Sequence, residues 1–261
     1  MSQTNETTSS WRPERPLKVI VLAAGKGSRL QSEQFDLPKV LRQAAGRPLL
    51  AWVADNLSFA DPADVIMVVG FQADKVKDAM GGAYQYVLQT RQLGTGHAVM
   101  AAADALSDYD GDVLVVYGDM PLFESRTYTD LITLHQRSDA DCTMLTAHTE
   151  TLLSYGRILR DEAGCFSGIV EQKDCTPEQL AIREVNPGVY IFRARHLFSM
   201  LGKLSNDNQQ GEYYLTDVPK IMQSAGLKLA THRIEDEQQI LGVNTEEDLA
   251  FCTSVLEQRR G

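Results

Sequence analysis

Residues 18–23 (KVIVLA) are almost entirely β-branched or aliphatic, and the run ends on a loop holding Gly25 and Gly27. A strand without polar alternation must be covered on both faces, which is the situation of a central strand in a parallel sheet. Comparable runs recur at 65–69 (VIMVV), 86–88 and 113–117 (VLVVY). Helical patterns lie between them at 48–57, 72–80 and 97–106. Strands alternating with helices at this spacing predict βαβ units, so the chain is expected to be an α/β fold with a mixed, mainly parallel central sheet flanked by helices.

The second half is less regular. Residues 142–148 read as a strand, and 157–160, 166–170 and 188–192 as short strands close enough to add to the sheet antiparallel. Helices are expected at 195–201, 217–225 and 246–258, and a strand at 227–234. Thr245 followed by Glu246 and Glu247 is a good start signal for the last helix. No repeat, low-complexity block or Pro/Gly/Ser linker divides the chain. A single Rossmann-like domain over 17–261 is therefore expected, after a disordered or loosely held polar tail at 1–16.

The balance of 25 basic and 35 acidic residues gives a net charge of −10. Such a surface does not suit sequence-independent nucleic-acid binding. No apolar run approaches a membrane span, and the polar N-terminus is not a secretory signal, so a cytoplasmic location is expected. Cys142, Cys165, Cys175 and Cys252 form no CxxC pair and read as reduced thiols.

Against that acidic balance, Arg29 and Lys39 lie close to the glycine loop Leu22-Ala23-Ala24-Gly25-Lys26-Gly27-Ser28. Glycines after a buried strand let backbone N–H groups approach a phosphate, and two added cations favour a polyphosphate. The loop fits neither G-x-G-x-x-G, because position 30 is Leu, nor G-x-x-x-x-G-K-[ST]. A plain strand-to-helix turn with two solvated cations is the alternative. Asp119 follows the apolar run 113–117, at the carboxyl end of a strand, where ligands gather in open α/β sheets. The alternative for Asp119 is a turn before Pro121, and for Asn244, more strongly, an Asx turn before the last helix.

Taken in order, LAAGKGSRL with PKVL, QLGTGH, YGD at 117–119, YGR at 155–157, IVE at 169–171, EVN at 184–186, GEYYLTD at 211–217 and GVN at 242–244 resemble the sugar-phosphate nucleotidyltransferases. Within them, these blocks look like the uridylyltransferase half of the bifunctional bacterial N-acetylglucosamine-1-phosphate uridylyltransferase/glucosamine-1-phosphate acetyltransferase. The resemblance implies UTP and N-acetylglucosamine 1-phosphate as substrates, with UDP-N-acetylglucosamine and pyrophosphate as products.

It also implies roles. Arg29 and Lys39 would be the catalytic cations, on pyrophosphate and the α-phosphate. Leu22, Ala23, Ala24, Gly25, Lys39, Gln89, Gly94 and Thr95 would hold the nucleotide, and a small residue at Gly94 would let the base lie close. Tyr117, Gly118, Gly156, Glu171, Asn186, Tyr214 and Thr216 would hold the sugar. Asp119 and Asn244 would hold Mg²⁺. His97 is expected to begin a helix rather than act as a base.

Three departures bear on these roles. Ser28 replaces the family's Thr, Glu33-Gln34-Phe35 lengthens the stretch between Arg29 and Lys39, and Pro187 stands where the family has a hydroxyl residue. No hexapeptide repeat follows, so neither a left-handed β-helix acetyltransferase domain nor an acetyl-CoA site is expected, and a monomer or dimer is. Another sugar 1-phosphate, dTTP in place of UTP, or a non-catalytic nucleotide-sugar binding module are the competing functions.

Overall fold

A computed structural model describes residues 11–27, 30, 36–151 and 153–260. Its first half holds β1 (Leu17–Ala23), β2 (Gln43–Ala44), β3 (Arg47–Pro48), α1 (Leu49–Asp55), β4 (Val65–Val69), α2 (Ala73–Met80), β5 (Gln85–Leu88), α3 (Thr95–Met100), β6 (Asp112–Tyr117) and α4 (Ser125–Ser138). There follow β7 (Cys142–His148), β8 (Gly156–Arg160), β9 (Phe166–Val170), α5 (Pro177–Leu180), β10 (Glu184–Asn186), β11 (Tyr190–Arg193), α6 (Ala194–Leu201), α7 (Val218–Ser224), β12 (Leu229–Ile234) and α8 (Glu246–Gln258).

The main sheet runs β5-β4-β1-β6-β11-β7-β10-β8-β9, with β12 paired to β7. β5, β4, β1, β6, β7, β12 and β8 point one way, and β11, β10 and β9 the other. The pure aliphatic runs are explained by burial on two sides. In β1, Val19, Val21 and Ala23 enter one core layer, while Ile20 and Leu22 enter the opposite one. β4 and β6 divide their residues in the same way.

Several elements differ from expectation. The helix expected at 97–106 is α3 followed by a separate 3-10 turn at Asp104–Leu106. The one expected at 217–225 begins as a 3-10 turn at Leu215–Asp217. α4 was not anticipated, although Tyr128, Leu131, Ile132 and His135 keep an i, i+3, i+4, i+7 spacing and are all buried. The small β2–β3 pair, also unanticipated, packs under α8.

The tail expected at 1–16 is laid on the domain from Trp11 onward. Trp11 Nε1 donates to Thr133 Oγ1 at 3.2 Å, and its ring meets Phe59 edge-on. Arg15 pairs with Asp112. None of the cysteines is in a disulfide, and Cys142 and Cys252 are buried. Among the described residues no helix is long and apolar enough to cross a membrane.

Candidate active site

The carboxyl ends of β1 and β6 open onto two adjoining cavities, of about 340 and about 500 Å³. Leu22, Ala23, Ala24, Gly25, Lys39, Gln89, Gly94 and Thr95 all line the first. Tyr117, Gly156, Glu171, Asn186, Tyr214 and Thr216 all line the second, and Thr95, Tyr117, Asp119, Glu212 and Asn244 form the shared wall. Gly118 is the exception. Its N–H donates to Leu22 O at 2.9 Å, and a Cβ there would sit 3.0 Å from Leu50 Cδ1, so it faces the core. Arg29, Ser28 and Glu33-Gln34-Phe35 lie outside the described residues.

In the first cavity the loop after β1 presents its backbone. A Cβ on Gly25 would meet nothing within 4 Å, so that side of the chain is open. Gln89 is buried, and its Nε2 lies 3.2 Å from Gly94 O and 3.1 Å from His97 Nδ1. Both contacts use the amide nitrogen, which leaves Oε1 as the acceptor this side chain can offer. His97 therefore orients Gln89 from within α3.

Gly94 carries a packing constraint beside the expected room for a base. At φ +106°, its Cβ would fall 2.7 Å from Tyr213 O and 2.9 Å from Glu212 Cβ. Gly96 is crowded in the same way, by Leu204 Cδ1 and Tyr213 O. The glycines let the 212–215 segment lie against 93–96, where Gly96 N donates to Tyr213 O and Leu215 N to Thr95 Oγ1. The first cavity is thereby tied to the second.

The second cavity is lined by polar groups that are already oriented. Asn186 Oδ1 accepts from Gly188 N at 2.9 Å, and its Nδ2 donates to the Tyr190 hydroxyl. Thr216 Oγ1 donates to Glu171 Oε1 at 2.8 Å. Burial pushes the Glu171 carboxyl above the usual range, a shift the Thr216 hydroxyl opposes. Gly156 begins β8, where a Cβ would come 2.7 Å from Ile169 Cγ2. Pro187 also lines this cavity, without an N–H to offer.

The shared wall carries the charge. Lys39, in a short 3-10 turn and 8% exposed, donates to Asp119 Oδ2 and, at 2.8 Å, to Asn244 Oδ1. Asp119 is anchored through its main chain, which accepts from Val243 N at 3.0 Å. Asn244 is placed by the start of α8. Thr245 and Asp248 form a capping box there, and Asp248 Oδ2 also accepts from Asn244 N at 2.8 Å. Two residues far apart in sequence, Asp119 and Asn244, thus form one cation seat, on which the Lys39 ammonium rests.

That seat fits magnesium. A carboxylate and an amide carbonyl are hard oxygen donors, and two of them leave positions for phosphate oxygens and water. The Lys39 ammonium rests on both oxygens, so the site attracts positive charge. Among the described residues no group of three or more His, Cys, Asp or Glu could hold a metal.

Tyr155, Gln210, Glu212 and Asp248 also line the cavities and were missed as site residues. Tyr155 and Glu212 sit inside quoted motifs. Gln210 and Asp248 carry no sequence signal of their own.

The sequence matches known proteins along most of its length. The model of the MobA-like NTP transferase domain matches residues 19–225. The bifunctional protein GlmU of Lactobacillus gasseri is 44% identical over 241 residues, covering 92% of this chain and 52% of that protein. The bifunctional protein GlmU of Pelobacter propionicus is 45% identical over 242 residues, with the same coverage. The chain spans about half the length of the curated relatives it matches.

Among solved structures, a UDP-glucose pyrophosphorylase complexed with UDP-glucose superposes with a TM-score of 0.73 at 16% identity, over 93% of this chain and 99% of that one. A putative glucose-1-phosphate thymidylyltransferase from Bacillus anthracis gives 0.74 at 18%, over 92% and 95%. At these identities the two structures show the shared fold.

Proposed function

The chain belongs to the MobA-like NTP transferase domain family, and on that premise we propose that it makes UDP-N-acetylglucosamine and pyrophosphate from UTP and N-acetylglucosamine 1-phosphate. The observation that carries the reading is the Lys39–Asp119–Asn244 seat on the wall between two cavities. A nucleotide in the first cavity and a sugar phosphate in the second would meet there.

In this reading Gln89 Oε1 accepts from the uracil N3–H, and the backbone of 22–25 holds the nucleotide. Glu171 and Asn186 bind sugar hydroxyl or acetamido groups from orientations fixed by Thr216, Gly188 and Tyr190. A phosphate oxygen of the sugar phosphate attacks the α-phosphorus in line. The bond from that phosphorus to the β-phosphate oxygen breaks, and pyrophosphate leaves. The protein aligns the reactants and neutralises phosphoryl charge, with no covalent intermediate. Lys39 supports the α-phosphate, and Arg29 the leaving pyrophosphate. Mg²⁺ on Asp119 and Asn244 would add charge stabilisation at the same oxygens. A purely binding module has no use for this concentration of charge.

The test is pyrophosphate release across UTP, dTTP and other nucleoside triphosphates, each with several sugar 1-phosphates. UTP with N-acetylglucosamine 1-phosphate should give the highest kcat/KM. A better pair would overturn the substrate assignment, and binding without turnover would overturn the enzyme reading.

Glu171 allows a second check. Its carboxyl is protonated at a higher pH than usual, and protonation removes an acceptor. As pH falls toward the carboxylate range, KM for the sugar phosphate should rise in the wild type more steeply than in Glu171→Gln. Parallel profiles would remove Glu171 from sugar binding.

A further inference from the structure

We infer that Tyr155 is a positioning residue that fixes the Asn244 amide with its oxygen toward the cation seat, joining the sugar-side loop to metal binding. This rests on the reading of Asp119 and Asn244 as metal donors.

Tyr155 immediately precedes Gly156 at the start of β8, and its side chain lines the second cavity. Its hydroxyl donates to Ile240 O and accepts from Gly242 N at 3.0 Å. One oxygen therefore clamps both ends of the 240–242 stretch. Gly242 O in turn accepts from Asn244 Nδ2 at 3.0 Å. With the amide nitrogen held there, Oδ1 points the opposite way, where Lys39 Nζ meets it. An amide turned over would aim two N–H groups at the seat and repel a cation.

The capping box fixes the Asn244 backbone, and the amide is oriented by Gly242 O at its nitrogen and by Lys39 Nζ at its oxygen. That carbonyl is placed from both sides of Gly242: the Tyr155 hydroxyl accepts from Gly242 N, and Val243 N, in the same peptide unit as Gly242 O, donates to Asp119 O. Burial raises the hydroxyl's pKa, so it stays a neutral group able to donate and accept together. Packing alone would require the ring, not an oxygen with two backbone partners. Gly242 shows how tight the joint is, since a Cβ there would stand 3.0 Å from the Tyr155 hydroxyl.

Tyr155→Phe keeps the ring and removes the clamp. Mn²⁺ binding is read by loss of the free-ion electron spin resonance signal, on each protein saturated with UDP-N-acetylglucosamine. A blank contains the nucleotide sugar alone. Tyr155→Phe should weaken Mn²⁺ binding roughly 10- to 100-fold, the usual effect of losing a group that orients a metal ligand. Calorimetry in a chelator measures the UDP-N-acetylglucosamine affinity of each variant separately, so that saturation is established before Mn²⁺ is added.

Asn244→Ala should weaken Mn²⁺ similarly, and adding Tyr155→Phe to it should cost nothing more, because the effect passes through Asn244. Gly242→Ala presses on the same joint from its other side and should also weaken Mn²⁺, which keeps the test open if Tyr155→Phe does not fold. Wild-type Mn²⁺ binding in Tyr155→Phe, or additive losses in the double variant, would overturn the inference while leaving the metal reading standing. No Mn²⁺ uptake by the wild type above the blank would overturn both.

Discussion

Asp119→Ala should lose metal-supported turnover by at least about 10²–10³-fold, the scale seen when one preorganised charge-stabilising group is removed. Asp119 supplies the carboxylate that meets Lys39 at this seat, so its loss removes much of the attraction for a divalent cation. Raising the magnesium concentration should restore little, because Asn244 alone offers a neutral oxygen. The fold should survive. The main-chain bond from Val243 to Asp119 is untouched, the Asp119 side chain is partly open to solvent, and Lys39 keeps Asn244 as a partner. Asp119→Asn separates charge from shape, since it keeps an oxygen donor and loses the charge. Pyrophosphate release against magnesium, with a thermal melt for each variant, measures both effects. Full activity at ordinary magnesium would exclude Asp119 as a metal donor.

The parts of the site legible in sequence are those that a single local property marks. The β1 run shows burial on both faces, the glycine loop shows backbone exposure, and Asp119 follows an apolar strand. The family blocks show which residue types recur. Blocks in a row do not show that Lys39 crosses 80 positions to Asp119 and 205 to Asn244, because that contact is created by sheet order. The same holds for Gly94, whose constraint comes from Tyr213 on a distant loop, and for His97, whose partner is Gln89. Tyr155 went unassigned because an aromatic residue before a strand reads as packing until its hydroxyl is seen between two backbone groups. α4 is a different kind of omission. Its apolar spacing was present in full, but it follows Pro121 and carries polar residues over most of its surface.

Asp112→Ala should destabilise the domain by about 3 kcal/mol, the low end of the cost of breaking a buried ion pair, since Arg15 is partly exposed. Asp112 begins β6 and is 1% exposed. Its carboxylate accepts from Arg15 Nε at 3.1 Å and Gln136 Nε2 at 2.8 Å, and His135 Nε2 lies 3.4 Å away. Burial opposes ionisation, but these partners outweigh it and hold the carboxyl below its usual value. A lowered native pKa contributes stability that is present above the unfolded value and is lost as pH falls through the native one. The gap between wild type and variant should therefore be complete at neutral pH, begin to narrow at about pH 4, and go on narrowing as pH falls through the lower native value. At neutral pH the melt should drop by about 6–12 °C, and a drop under about 2 °C would show that the network contributes little. Because Asp112 and the chemistry occupy opposite ends of β6, kcat/KM per folded molecule at low temperature should stay at the wild-type value. A loss of activity in the folded variant would instead mean that the pinned segment from Trp11 to Pro16 shapes the far end of the sheet.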